Sequence, residues 1–282
     1  MIQFIEKRFG VHEPNISSWR RAVAGDLTSV YKFGDSNEGE DQGEFDLPST
    51  AGFLPPVAEL AGGNTTTFQP KLSDVIIGVP AQEKGTRPAR ALPYELNVHA
   101  AVNASAGAIV LTFSNTGSAT VVFQVRSGNP ADPVRSYTVE PRKQLTGSWN
   151  FVSSYDLSVY GPNGFVRFFK GRIGSDAAVL DVVSSYSAQG PGSIGWRITN
   201  LAGSQAEVRV LDAYTGHSTT QTLQPNQTVA DALLLAQFHG WYDLIVTVPG
   251  DQAFNHRLAG HVENGKDSVS DPALGGLVTL QG

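Results

Sequence analysis

The sequence predicts a mainly β protein: two tandem β-sandwich domains preceded by a short helical segment and an extended linker. Three observations predict it. From about residue 91 onward, apolar and polar residues alternate with a period of two. Across the 282 residues there are 30 Gly and 16 Pro but only 16% charged side chains. That composition suits short strands joined by turns and not helical bundles, which are built on Glu, Lys and Leu. Third, the chain echoes itself with a period of about 85 residues. Gly107 to Gly128 reads GAIVLTFSNTGSATVVFQVRSG and Gly192 to Gly216 reads GSIGWRITNLAGSQAEVRVLDAYTG. Tyr155-Asp156-Leu157 returns as Tyr242-Asp243-Leu244, with Pro141 and Pro225 at similar distances upstream.

Residues 1–33 read as helix. Phe4, Ile5, Phe9 and Val11 form an apolar stripe, Gly10 is placed to end the first helix, and Asn15 after Pro14 is placed to cap a second. So many large apolar groups without a second layer to cover them predict the end of a larger domain. Residues 34–90 read as a linker. Asp35 to Asp46 holds six carboxylates and no base, which predicts a solvated segment. A calcium loop is the other reading, but Gly and Gln fall where ligands belong. The Pro-, Gly- and Thr-rich stretch to Arg90 predicts an extended arm that wraps a neighbouring surface.

Residues 91–175 are expected to form the first sandwich. Leu96, Val98 and Ala100 alternate with polar neighbours, as do Ile109, Leu111 and Phe113. Asn115-Thr116-Gly117 turns the chain, Val121, Phe123 and Val125 start the next strand, and Gly161 to Gly164 turns into Val166 and Phe168. Residues 176–282 are expected to form the second, with strands at Val179–Val183, Trp196–Thr199, Val208–Leu211, Thr220–Leu223, Leu244–Val248 and Phe254–Val262. Modules of this size bury only about two-thirds of their unfolded surface, so contact between them should add stability.

The net charge of -6 argues against nucleic acid, whose binding rests on Lys and Arg neutralising phosphates; a zwitterionic lipid surface remains open. With no Cys, disulfides, Cys-ligated zinc and a Cys nucleophile are excluded. No apolar run reaches the length of a spanning helix, and MIQFIEKRFG lacks the pattern of a signal peptide.

Reactive constellations are scarce. GPGSIG at Gly190 to Gly195 has the wrong spacing for a nucleophile elbow, and Asn264-Gly265-Lys266-Asp267 lacks the first Gly and the final hydroxyl of a phosphate loop. His256, His261 and Glu263 suggest a metal set, but strand positions an odd number apart point to opposite faces. His99, His217 and His239 read as surface or packed structural groups. Asp156 and Asp243, each following a Tyr, read as fold residues. Trp149, Tyr155, Phe238, Trp241 and Tyr242 have two readings: core packing, or amphipathic rings inserted at a lipid headgroup or docking surface.

Three segments carry a family likeness: FIEKRFGVHEPNISSWRRAVAGDLTSV (Phe4 to Val30), KGTRPARALPYELNVHA (Lys84 to Ala100) and GKDSVSDPALGG (Gly265 to Gly276). Essentially over its whole length the chain resembles the C-terminal half of the bacterial phosphocholine-specific phospholipases C. The resemblance implies a phosphatase-like catalytic domain upstream, followed by two copies of a small β-rich domain that coincide with the echo. It implies a parent enzyme, secreted or periplasmic, that converts phosphatidylcholine to diacylglycerol and phosphocholine, with phosphatidylcholine or sphingomyelin membranes as surfaces to meet. No family catalytic or metal-binding residue maps onto this sequence, so it implies no cofactor in this chain. Any divalent metal would belong to the upstream domain. The chain alone is therefore expected to be inactive, as an accessory part whose sandwiches brace the catalytic domain or aid lipid contact. A stand-alone membrane- or glycan-binding module is the alternative.

Overall fold

In the computed structural model, residues 1–28, 86–188 and 192–273 are described. The acidic run and most of the expected arm lie outside them.

Helix α1 (Ile2–Phe9) ends at Gly10, whose φ of 67° lets its N–H reach back to the Glu6 carbonyl. Helix α2 (Ser18–Val23) is capped by Ser17, whose hydroxyl accepts from the Arg20 N–H. Asn15 is not the cap; its N–H is held by the Glu13 carboxylate. The helices are tied by Arg21, which donates to both carboxylate oxygens of Glu6 at 2.8 and 2.9 Å. That fork, with the Glu13 N–H, holds the Glu6 carboxyl down at about 2. Part of the apolar surface of α1 is exposed: Ile2 is 52%, Ile5 44% and Phe9 69% exposed, while Phe4 is half-buried.

Apart from a short 3-10 turn at Ala236–Phe238, the remaining regular structure among the described residues is strand. β1 (Pro88–Ala89), inside the expected linker, pairs with β16 (Ser268–Val269). Between them run β2 (Leu96–Asn103), β3 (Ala108–Asn115), β4 (Val121–Ser127), β5 (Arg135–Val139), β6 (Lys143–Asn150), β7 (Ser154–Tyr160) and β8 (Val166–Arg172). Then follow β9 (Leu180–Ser187), β10 (Ser193–Asn200), β11 (Ala206–Asp212), β12 (Ser218–Leu223), β13 (Thr228–Leu234), β14 (Trp241–Val248) and β15 (Asp251–His261).

In the first half a three-stranded sheet, β2-β3-β6, covers a four-stranded one, β5-β4-β7-β8. The second half follows the same order, β9-β10-β13 over β12-β11-β14-β15. Each pair of sheets encloses its own core. Ile109, Leu111, Phe113, Phe123 and Val159 centre the first, and Ile194, Ile198, Leu223, Leu244 and Val246 the second.

The sandwiches are not beads on a string. β8 and β15 pair antiparallel, from Val166↔Ala259 to Lys170↔Asn255, so both four-stranded sheets merge into one of eight strands. The strands that pair are counterparts. Arg167 stands opposite Leu258, and their counterparts His256 and Phe169 stand opposite each other. A local twofold thus passes near the Phe168–Arg257 pair, where the Arg257 guanidinium lies 5.7 Å from the Phe168 ring.

The echoed residues have local structural jobs. Asn115, wholly buried, donates from Nδ2 to the carbonyls of Ala119 and Val139 and accepts the Gly117 N–H. Asn200, also wholly buried, does the same with Ser204, Leu223 and Ala202. Pro141 and Pro225 start tight turns whose next residues, Arg142 and Asn226, take φ of 58° and 61°. These are closed by Lys143 N–H to Glu140 O and Gln227 N–H to Gln224 O. Tyr155 faces Gly171 across β7–β8, and Tyr242 faces Gly260 across β14–β15. A Cβ on Gly171 would lie 2.2 Å from the Tyr155 hydroxyl, so the glycine makes room for the ring.

Candidate functional site: the seam between the sandwiches

Where the halves meet, β8 and β15 place polar side chains inside. The inward face of β8 is Arg167, Phe169 and Gly171, continued by Phe165 just before the strand, with Val166 and Phe168 on the other side. Arg167 is completely buried. One terminal nitrogen donates to the carbonyls of Val166 (2.8 Å) and Ala259 (2.9 Å). The other donates to the hydroxyls of Tyr186 and Tyr242, the latter at 2.9 Å. Its plane lies over the Phe165 ring at 4.2 Å. This buried cation has no carboxylate partner among the described residues; carbonyls, hydroxyls and a ring face solvate it instead. Burial pushes the Tyr186 hydroxyl well above its ordinary value, so it remains protonated.

His256, the counterpart of Arg167, is buried between Phe254 (stacked, 4.4 Å) and Phe169 (edge-on, 5.2 Å). Neither ring nitrogen has a hydrogen-bond partner among the described residues. Burial first, and the nearby His99 charge second, press it down to about 3. Above this layer β2 and β9 are held by side chains. Asn97 Nδ2 donates to the Ser184 carbonyl, Ser184 Oγ donates to Asn97 Oδ1, and His99 Nε2 meets Asp181 Oδ1 at 2.6 Å. The connection 173–179 is fixed by Asp251, which accepts from Arg172 Nε and the Ala178 N–H, both at 2.9 Å.

At one mouth of the seam, Glu263 accepts from the Leu92 N–H (3.0 Å) and Asn163 Nδ2 (2.9 Å), and meets His261 Nδ1 at 2.9 Å. His261 Nε2 is 2.9 Å from the His239 carbonyl and 3.2 Å from Ser268 Oγ. His261 is thus committed to closing the C-terminal segment onto β15, while His256 faces the opposite side of the strand. Among the described residues no group of three or more His, Cys, Asp or Glu is placed to hold a metal. The cavity here, between Tyr94, Phe165, Tyr186 and Tyr242, is about 30 Å³, room for a water molecule rather than a ligand.

The five aromatics offered as headgroup or docking candidates all lie inside, between 2% and 7% exposed. Trp149 and Tyr155 pack in the first core, Tyr242 in the second. Phe238 stacks on Tyr214 at 4.9 Å, and Trp241 donates from Nε1 to the Val269 carbonyl. Sandwich interiors need large rings, and that demand places these five in the interior. Sequence reasoning missed Arg167, Tyr186, Asn97 and Ser184. The seam joins strands about 85 residues apart, and only the echo hinted that its members correspond.

Fold and seam together define a class: fused β-sandwich pairs whose buried polar groups hold modules together. The chain belongs to the family of bacterial phospholipase C C-terminal domains, whose sequence pattern matches residues 88–172 and again 176–261. It is 40% identical over 97% of its length to the non-hemolytic phospholipase C of Burkholderia pseudomallei, spanning 39% of that protein. The non-hemolytic phospholipase C of Pseudomonas aeruginosa is 37% identical over 98% of this chain and 40% of its own. The hemolytic phospholipase C of the same organism is 35% identical over 97% and 41%. The chain therefore spans about two-fifths of the length of these relatives. Against solved structures, red sea bream transglutaminase superposes with a TM-score of 0.23 at 14% identity, over 62% of this chain and 32% of that one.

Proposed function

We propose that this chain is the non-catalytic part of a phospholipase C, and that its two sandwiches are duplicated copies of one module fused into a brace for a catalytic domain. The observation that carries the reading is the double family match within a chain that spans about two-fifths of relatives named phospholipase C. The enzyme's substrate is phosphatidylcholine, cleaved at the glycerol-side phosphodiester bond to diacylglycerol and phosphocholine, with the reacting groups outside these 282 residues. Two structural features support bracing over membrane insertion. The continuous eight-stranded sheet makes the pair stiff, and the rings best suited to a headgroup layer are buried. The uncovered Ile2, Ile5 and Phe9 of α1 supply an apolar stripe for the partner domain to cover.

The test is hydrolysis of a chromogenic phosphocholine ester by the purified chain, with and without divalent metal. No turnover above a blank preparation is expected; metal-dependent release of the chromophore would contradict the assignment. Sedimentation with phosphatidylcholine vesicles separates the alternative, since a brace stays in the supernatant and a membrane-binding module pellets.

A further inference from the structure

We propose that one end of the first sandwich is a docking cleft for a protein segment that presents an aliphatic or aromatic side chain beside a Lys or Arg. The cleft, about 390 Å³, opens between the β4–β5 connection (Gly128, Asn129, Asp132) and the β6–β7 connection (Phe151 to Ser153). Trp149 and Tyr155 form its inner wall. Val152 stands at its lip, 93% exposed.

The second sandwich shows what this place accommodates. Two pairs of backbone bonds align the halves here: Gly128 N–H to Asp156 O matches Ala213 N–H to Asp243 O, and Phe151 N–H to Gly107 O matches Leu235 N–H to Gly192 O. Asn129 is therefore the counterpart of Tyr214. After the second anchor the first sandwich has only Val152 and Ser153 before β7, whereas the second has Ala236 to Gly240 before β14. That longer connection, a short 3-10 turn, carries Phe238, which is 5% exposed and stacked on Tyr214. Tyr214 in turn donates its hydroxyl to Asp271 at 2.7 Å. One sandwich fills the position with a ring from its own chain; the other has an Asn, a short connection and open space. An apolar side chain from outside completes it in the same way.

Charge narrows the occupant. The cleft is lined by Asp132 and Asp156 and by no Lys or Arg. Asp156 is paired with Lys170 at 2.8 Å, while Asp132 has no ionic partner among the described residues. A basic residue next to the inserted side chain meets that free carboxylate.

The inference does not depend on the phospholipase reading, because it is measured as binding to this chain rather than as hydrolysis. The probes are two blocked tripeptides, Gly-Phe-Gly and Arg-Phe-Gly, titrated into the full chain to about 10 mM, the range in which contacts this small saturate. Methyl and indole NMR signals are followed. Both peptides should move the Val152 methyl and Trp149 indole signals, and Arg-Phe-Gly should bind about threefold more tightly. Asp132→Asn should remove that threefold difference and leave Gly-Phe-Gly unchanged. A filled variant, Asn129→Tyr with Val152-Ser153 replaced by Ala-Gln-Phe-His-Gly, should respond to neither. If it does not fold, Val152→Ser is measured in its place and should weaken both peptides. Unmoved Val152 and Trp149 signals, or equal affinities of the two peptides, would overturn the proposal. So would maltotriose moving those signals while the peptides do not, which would assign the cleft to carbohydrate.

Discussion

Asn115 and Asn200 show how much one side chain can hold when it is buried and fully bonded. Each joins the end of an inner strand to the following turn and to the edge of the facing sheet by three hydrogen bonds. Asn115→Ala would orphan the buried Val139 carbonyl and the half-buried Ala119 carbonyl and Gly117 N–H at the end of the first core. The expected cost is about 2–4 kcal/mol, read as a lower urea midpoint at unchanged slope; Asn129→Ala, in an exposed turn, should stay within about 0.5 kcal/mol. His256 behaves oppositely. Its ring is pressed down to about 3 against an ordinary 6.5, so the unfolded chain takes up a proton in this window and the folded one does not. The stability it contributes is present above about pH 6.5 and falls by about 1.4 kcal/mol per unit as the pH drops towards 3. In His256→Leu the melting temperature should therefore decline less between pH 6.5 and 4.5 than in the parent chain; parallel curves would show that His256 does not set the slope.

At the scale of elements, legibility in the sequence followed burial. β2, β3, β4 and β14 alternate cleanly because one face is in a core, and their period gives them away. β5, β6 and β13 went unread. In β6 only Gly147 and Trp149 are buried, and in β13 no residue is, so edge strands of this kind carry no apolar period. β8 misled in a different way. Val166 and Phe168 look like the inward residues, yet Arg167 lies inside and both lie on the other face. A buried cation inverts the apparent phase of a strand, since a shift of one residue exchanges its faces. β15 hides a His among Phe254 and Leu258 in the same manner. The turns were read well because their chemistry is local, as at Pro141-Arg142 and Asn115 to Gly117. The seam was illegible because nothing near Arg167 in sequence tells it that Tyr186 and Tyr242 will be its acceptors.

At the scale of the molecule, two tandem sandwiches were expected and two are found; the structure adds that they share one eight-stranded sheet. Each sandwich has its own core, but the pairing of β8 with β15, the Arg167 hub, and the side-chain contacts of β2 with β9 bind the cores to each other. Fusion of this kind is what a brace needs, since a hinged pair would transmit no stiffness to a partner domain. Differential scanning calorimetry of the intact chain tests it most directly. A fused body unfolds in one transition across both sandwiches, with a calorimetric enthalpy equal to the van't Hoff enthalpy. Arg167→Ala, which opens the seam, should split that peak in two. Two resolved transitions in the parent chain, each the size of one sandwich, would contradict the account.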